Sequence, residues 1–236
     1  MTKGIDVSVY QSNIDYANTG VDFAIIRAGY GRLSSQKDKL FEQHYKGFKN
    51  AKIPVGAYWY SYAMSEDEAK LEAKACIEVL KGKQYEYPIY YDVEEQKQYN
   101  LGKAKVTAII KAFCTELEKA GYWVGIYTNT NWYNNVIDSS IKGRYALWIA
   151  HWNAAKPGIT DSYGLWQYKV GDQKGVTGDC DLDYGYEDYP TQIKKAGKNG
   201  YTSTPSTSKK TIDVTVTIDG TKYKGTLSEW RRAIYK

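Results

Sequence analysis

GIDVSVY, residues 4–10, decides the fold class. It alternates like a strand and ends without a glycine-rich G-x-G-x-x-G turn, so the phosphate loop of an open doubly wound sheet is missing where it would be needed. Strand-like runs then alternate with helical ones: FAIIRAGY (23–30), a helical stretch around 38–50, and IPVGAYWYSY (53–62). Ser65-Glu66-Asp67-Glu68 reads as a capping box opening a helix to about residue 81. PIYYDVEEQ (88–96) is the next strand. A helix with Val106, Ile109, Ile110, Phe113 and Leu117 on one face stops at Gly121. YWVGIYTN (122–129), ALWIAHW (146–152), GLWQY (164–168) and DCDLDY (179–184) complete about eight strands. Repeated strand–helix units imply parallel strands covered by helices. The expected architecture is an irregular, TIM-like β/α barrel: about five β/α units, then three plain strands.

The barrel is expected over residues 1–197, a Ser/Thr/Pro linker over 198–210, and a small element over 211–236. That element comprises a β-hairpin around Asp219-Gly220 and a helical turn, SEWRRAIYK. From residue 198 onward there are eight Lys/Arg and three Asp/Glu, so the whole net charge of +5 sits on the tail and residues 1–197 are neutral. An acidic surface is the partner class for the tail, and it is too small to hold a core alone. Neither a nucleic acid nor a membrane span is expected: MTKGIDVSVY has no apolar signal region, and no run of about 18 apolar residues occurs. Three cysteines with no metal-ligand spacing fit reduced thiols in a protein made in the cytoplasm, with Cys76 and Cys114 as core packing.

The chemistry concentrates in acids and aromatics. Asp92 and Glu94 are i and i+2 on a strand and share a face, roughly 6–7 Å apart. Mutual repulsion pushes one towards its protonated form, and an acid beside a carboxylate is what glycosidic cleavage needs. Asp6 ends the first strand and Asp181 is read as ending the last, which are neighbours in a closed barrel. Glu95 faces away, as a solvated bystander. The same mouth is expected to hold Tyr60, Tyr62, Tyr127, Trp148, Trp166 and Gln167 as sugar-binding groups, in a chain with 24 Tyr and 7 Trp. Asp179, Asp181 and Asp183 mimic an EF-hand start, but Tyr184 and Pro190 occupy the positions that need Gly and Glu, so neither metal nor cofactor is expected. A Ser/His/Asp hydrolase is disfavoured: no G-x-S-x-G occurs, His44 reads as helical surface, and His151 either lines the mouth or packs.

Taken in order, GIDVSVYQ, FAIIRAGYG, VGAYWYSYA, YYDVEE, VGIYTN, LWIAHW, LWQY and CDLDYGYE resemble the glycoside hydrolase family 25 lysozymes, over about residues 3–190. The resemblance implies cleavage of the β-1,4 bond between N-acetylmuramic acid and N-acetylglucosamine in bacterial peptidoglycan, by a phage endolysin or a bacterial autolysin. It maps the acids to Asp6, Asp92, Glu94 and Asp181, with Glu94 as general acid and Asp92 assisting. Trp59 stands where many members carry His, which predicts altered sugar contacts. The basic tail would then retain the enzyme on anionic wall polymers or pair with a second copy, after release from the cell. A chitinase-like substrate-assisted glycosidase and an inactive wall-binding barrel are the competing readings.

Overall fold

A computed structural model describes residues 1–203 and 213–226, as two separate units divided between Ser203 and Thr204. The first is a closed eight-stranded barrel: β1 (Thr2–Val7), β2 (Phe23–Tyr30), β3 (Val55–Tyr60), β4 (Ile89–Asp92), β5 (Val124–Asn129), β6 (Ala146–Ala150), β7 (Leu165–Asp172) and β8 (Asp179–Gly185). β1 to β7 run parallel in order, whereas β8 is antiparallel to both β7 and β1. Four crossovers carry α-helices: α1 (Phe41–Asn50), α2 (Glu66–Leu80), the pair α3 (Gln96–Tyr99) and α4 (Lys103–Lys119), and α5 (Thr130–Asn135). The connection from β1 to β2 holds only a 3-10 turn, Tyr16–Asn18. Ser65 caps α2 by accepting from the Glu68 N–H at 3.2 Å, as the capping box predicts.

Strand alternation divides the apolar residues into two layers. Outward residues such as Ile5, Ile26, Tyr91 and Ile126 meet the helices through Phe41, Ala73, Ile110 and Phe113. Inward residues form a second cluster, with Phe23, Ile25, Tyr90, Tyr127, Trp148 and Leu165 filling the barrel. A Cβ on Gly125 would overlap the Tyr90 ring, so glycine is what admits that ring. Helix α6 (Tyr189–Ala196) was not anticipated; Asp188 caps it, Pro190 begins it, and Tyr189 and Ile193 complete the inner cluster.

Two outward residues correct the sequence reading. His44 is fully buried, not surface, with ring nitrogens bonded to the Ser8 carbonyl (3.0 Å) and the Tyr16 hydroxyl (2.9 Å). Trp59 is also fully buried and donates to the Gly31 carbonyl at 2.9 Å, so it lies behind the barrel wall, away from the mouth.

The linker reading is corrected at its start. Residues 198–203 belong to the barrel unit. Buried Asn199 accepts from the Trp123 N–H at 2.7 Å and donates to the Tyr87 carbonyl at 2.8 Å, and Tyr201 bonds Glu86. Asn199→Ala leaves both backbone groups without partners. It is expected to lower stability by about 2–4 kcal/mol, read from the denaturation midpoint. The second unit is the expected hairpin, β9 (Asp213–Ile218) and β10 (Thr221–Thr226), turning through Asp219 and Gly220, both at positive φ. The remaining linker and the helical turn of SEWRRAIYK lie outside the described residues. Among those described, no helix is long and apolar enough to cross a membrane.

Candidate active site

The C-terminal ends of the parallel strands open into a cavity of about 840 Å³. Nine of the ten residues singled out from sequence line it: Asp6, Asp92, Glu94, Asp181, Tyr60, Tyr62, Tyr127, Trp148 and Gln167. Register explains their convergence. Tyr60, Asp92, Tyr127 and Trp148 are lateral neighbours across four strands, and Asp6 pairs with Asp181. Asp181 does not end its strand, however. Because β8 is antiparallel, it is the strand's beginning that reaches the mouth, and Asp181 is its third residue.

Trp166 is the exception. Adjacent strand residues face opposite ways, and Gln167 takes the inner side. Trp166 packs in the outer layer against Tyr184 and donates to the His151 carbonyl at 3.0 Å. His151 is not part of the cavity wall; its ring accepts from the Gly158 N–H at 3.0 Å. Glu95 lies outside the wall but is half-buried, and accepts a long bond from Tyr60 at 3.4 Å, so it is more than a solvated bystander.

Buried Gln167 is a hub. Its Oε1 accepts from Tyr127 (2.9 Å) and Trp152 (2.8 Å), and its Nε2 donates to Asp6 at 2.8 Å. On the far side, Arg27 is ion-paired to buried Asp38 at 2.7 Å and lies under the Tyr10 ring. Asp38 also accepts from the Val9 and Leu40 N–H groups, fastening the loop after β1 to the mouth. Exposed Tyr10, Tyr30, Tyr62 and Trp152 form an aromatic rim. Sequence reading missed Tyr58, Arg27, Asp38, Trp152 and Asp183. Tyr58 and Asp183 stand two residues from Tyr60 and Asp181, so strand alternation was the available signal. Asp38 lies in the loop just before α1, at the edge of the stretch read as helical.

Burial dominates the electrostatics. Asp92 is held well above the usual carboxylate range by burial and then by the Glu94 charge, with Arg27 opposing. Its Oδ1 is buried without a hydrogen-bond partner. Glu94 is raised by burial, then by Asp181 and Glu95. Asp6 is raised by burial and by Asp181 and Asp183, against the Gln167 bond. Burial pushes Asp181 up to about 6. Burial and mutual repulsion thus favour the protonated form of carboxyls set beside one another at the mouth, the condition for general acid catalysis. Among the described residues, no three His, Cys, Asp or Glu side chains form a metal-holding group.

A raised carboxyl binds more protons folded than unfolded. The stability from protonated Asp181 is thus complete below its unfolded value of about 3.9 and lost as pH rises through about 6. Asp181→Asn is expected to be more stable than the parent by about 1–3 kcal/mol above pH 6 and nearly equal below pH 4, in denaturant titrations across pH.

The solved structure of the CTP1L endolysin superposes with a TM-score of 0.73 at 26% identity, over 82% of this chain and 70% of that one. The lysozyme from Streptomyces coelicolor does so at 0.71 and 26%, over 83% and 96%. The autolytic lysozyme of Clostridium acetobutylicum is 30% identical over 187 residues, 77% of this chain and 55% of the relative; the chain spans about half the length of that curated relative. The family model for glycosyl hydrolases family 25 matches residues 5–177, taking in Asp6, Asp92 and Glu94 and ending just before β8. With most of the barrel inside that match, the chain belongs to glycosyl hydrolases family 25.

Proposed function

We propose that the chain is a muramidase, hydrolysing the β-1,4 bond between N-acetylmuramic acid and N-acetylglucosamine in peptidoglycan. The observation that carries this reading is the Asp92–Glu94 pair at the cavity mouth, both carboxyls raised by burial and each near another acid. Glu94, the more accessible of the two, protonates the leaving glycosidic oxygen. Asp92 Oδ1 has no protein donor and accepts the N–H of the substrate's acetamido group, turning that group towards the anomeric carbon. Asp6 and Asp181 supply negative charge facing the oxocarbenium-like centre. The rim of Tyr10, Tyr30, Tyr62 and Trp152 offers flat faces with polar edges to successive sugars.

Activity falls as pH rises through the raised value of Glu94, because the proton it donates is lost. Purified peptidoglycan and chitin distinguish the substrates. Loss of turbidity with peptidoglycan and none with chitin supports the proposal, and the reverse makes the chain a chitinase-like enzyme. Binding to walls without release of soluble sugar would make it a wall-binding barrel.

The hairpin unit is proposed to retain the enzyme on anionic wall polymers after its release from the cell, or to pair with a second copy. Its Lys222 and Lys224 are exposed, beside half-exposed Tyr223. Reversing both lysines to Glu in the full chain is expected to weaken wall binding about tenfold at low salt, with the difference shrinking towards 0.5 M salt in a sedimentation assay.

A further inference from the structure

Beneath the cavity lies an acid that the proposed mechanism does not use. Asp183 lies two residues deeper on β8 than Asp181, opposite Gly4 on one side and Gln167 on the other, and is 1% exposed. Its Oδ1 accepts from Trp148 Nε1 at 2.7 Å, while its Oδ2 is buried with no donor. An indole nitrogen only donates. The Trp148 bond therefore fixes Oδ1 as an acceptor, and a proton on Asp183 must sit on Oδ2.

The same reasoning reaches Asp6. Trp152 is another obligate donor and fixes Gln167 Oε1 as its acceptor, so the amide must present its NH₂ to Asp6 Oδ2. A proton on Asp6 is thereby confined to Oδ1. Asp6 and Asp183 are diagonal neighbours across the β1–β8 pairing, Asp6 opposite Asp181 and Asp183 opposite Gly4, and both side chains are buried on the inner face. Two ionised carboxylates placed side by side in a buried site repel each other, which favours a single proton between them. The groups facing the pair offer no counter-charge: Asp181 and the Cys180 thiol on β8, Asp92 and Tyr90 on β4, and Tyr58 on β3. The neighbouring cation, Arg27, is already paired with Asp38.

We infer that Asp183 shares a single proton with Asp6, which makes Asp183 a positioning residue for Asp6 and holds the cavity floor at one negative charge. The shared proton also supplies the missing partner of Asp183 Oδ2. The role of Asp6 rests on the muramidase reading, but the shared proton does not, so the two fail separately.

Native capillary electrophoresis of the full chain at pH 8 tests the charge. An ordinary Asp→Asn change alters net charge by one unit. Asp183→Asn removes one carboxylate and the one shared proton together, leaving Asp6 ionised and the net charge unchanged, so the mobility is expected to move by less than about a third of a unit. Asp181→Asn, whose parent carboxyl titrates at about 6, is the internal control and is expected to shift by nearly a full unit. A full-unit shift for Asp183→Asn overturns the inference. Infrared difference spectra, parent minus Asp183→Asn, are expected to show one protonated-carboxyl stretch, and its absence counts equally against the inference. For the positioning role, Asn accepts from Trp148 and donates to Asp6, whereas Leu does neither. Asp183→Asn is expected to keep a kcat at least about tenfold above that of Asp183→Leu with similar KM. Equal losses overturn that role; if the Leu variant does not fold, the mobility and infrared results decide alone.

Discussion

Glu94→Gln is expected to lower kcat on purified peptidoglycan by about 10³-fold, with wall binding and the unfolding midpoint close to those of the parent. General acids contribute about 10²–10⁴ to such reactions, and glutamine keeps the shape of the side chain without the proton. Glu94 is partly exposed at the mouth and carries no structural hydrogen bond, so its removal leaves no buried group unpaired. Because Glu94 is raised by burial and by the Asp181 charge, the alkaline decline of the parent is expected to vanish from the residual activity of the variant. An unchanged kcat would remove Glu94 from the mechanism.

Glu72→Ala is expected to produce the largest loss of stability, about 3–5 kcal/mol, and to lower activity though Glu72 does not itself line the cavity. Glu72 is a fully buried residue of α2 that accepts from the Tyr62 N–H at 2.8 Å and the Tyr91 hydroxyl at 2.6 Å. The chain continues through Ser61, which donates to Tyr91 at 2.7 Å, to Gln98, which donates to Ser61 at 2.7 Å. Alanine leaves two buried donors unpaired and opens a cavity beneath Tyr62 on the rim and Tyr91, the neighbour of Asp92. Each unpaired donor costs about 1–3 kcal/mol. Glu72→Gln keeps one carbonyl oxygen and is expected to cost about half as much. Urea denaturation of the three proteins measures the series, and equal midpoints for parent and Ala variant would contradict it.

Much of this arrangement was legible from local chemistry. Asp92 and Glu94 both reach the cavity, as i and i+2 of an extended segment do, although β4 itself ends at Asp92; the hairpin could be read because Asp219-Gly220 suits a turn with two positive φ values. Some errors broke the same rules. Trp166 and Gln167 cannot both face the mouth, and Trp59 must oppose Tyr58 and Tyr60. His44 follows Phe41 by three positions and precedes Phe48 by four, which places it on the apolar face of α1 rather than its surface.

The reversal of β8, which brings Asp181 to the mouth, was legible too: only residues 173–178 separate it from β7, too few for a parallel crossover. Other features were not available to local reading. Residues 198–203 have the composition of a linker, yet Asn199 satisfies backbone groups of Tyr87 and Trp123, 112 and 76 residues away. The buried Arg27–Asp38 pair joins a strand to a loop with no pattern of its own.

The Asp92–Glu94 mouth is proposed to cut on the muramic acid side of the glycan. Purified peptidoglycan digested by the full chain, reduced with borohydride and resolved by mass spectrometry tests it most directly. New reducing ends on N-acetylmuramic acid that disappear with Glu94→Gln are expected; new reducing ends on N-acetylglucosamine, or the same products from the variant, would rule this assignment out.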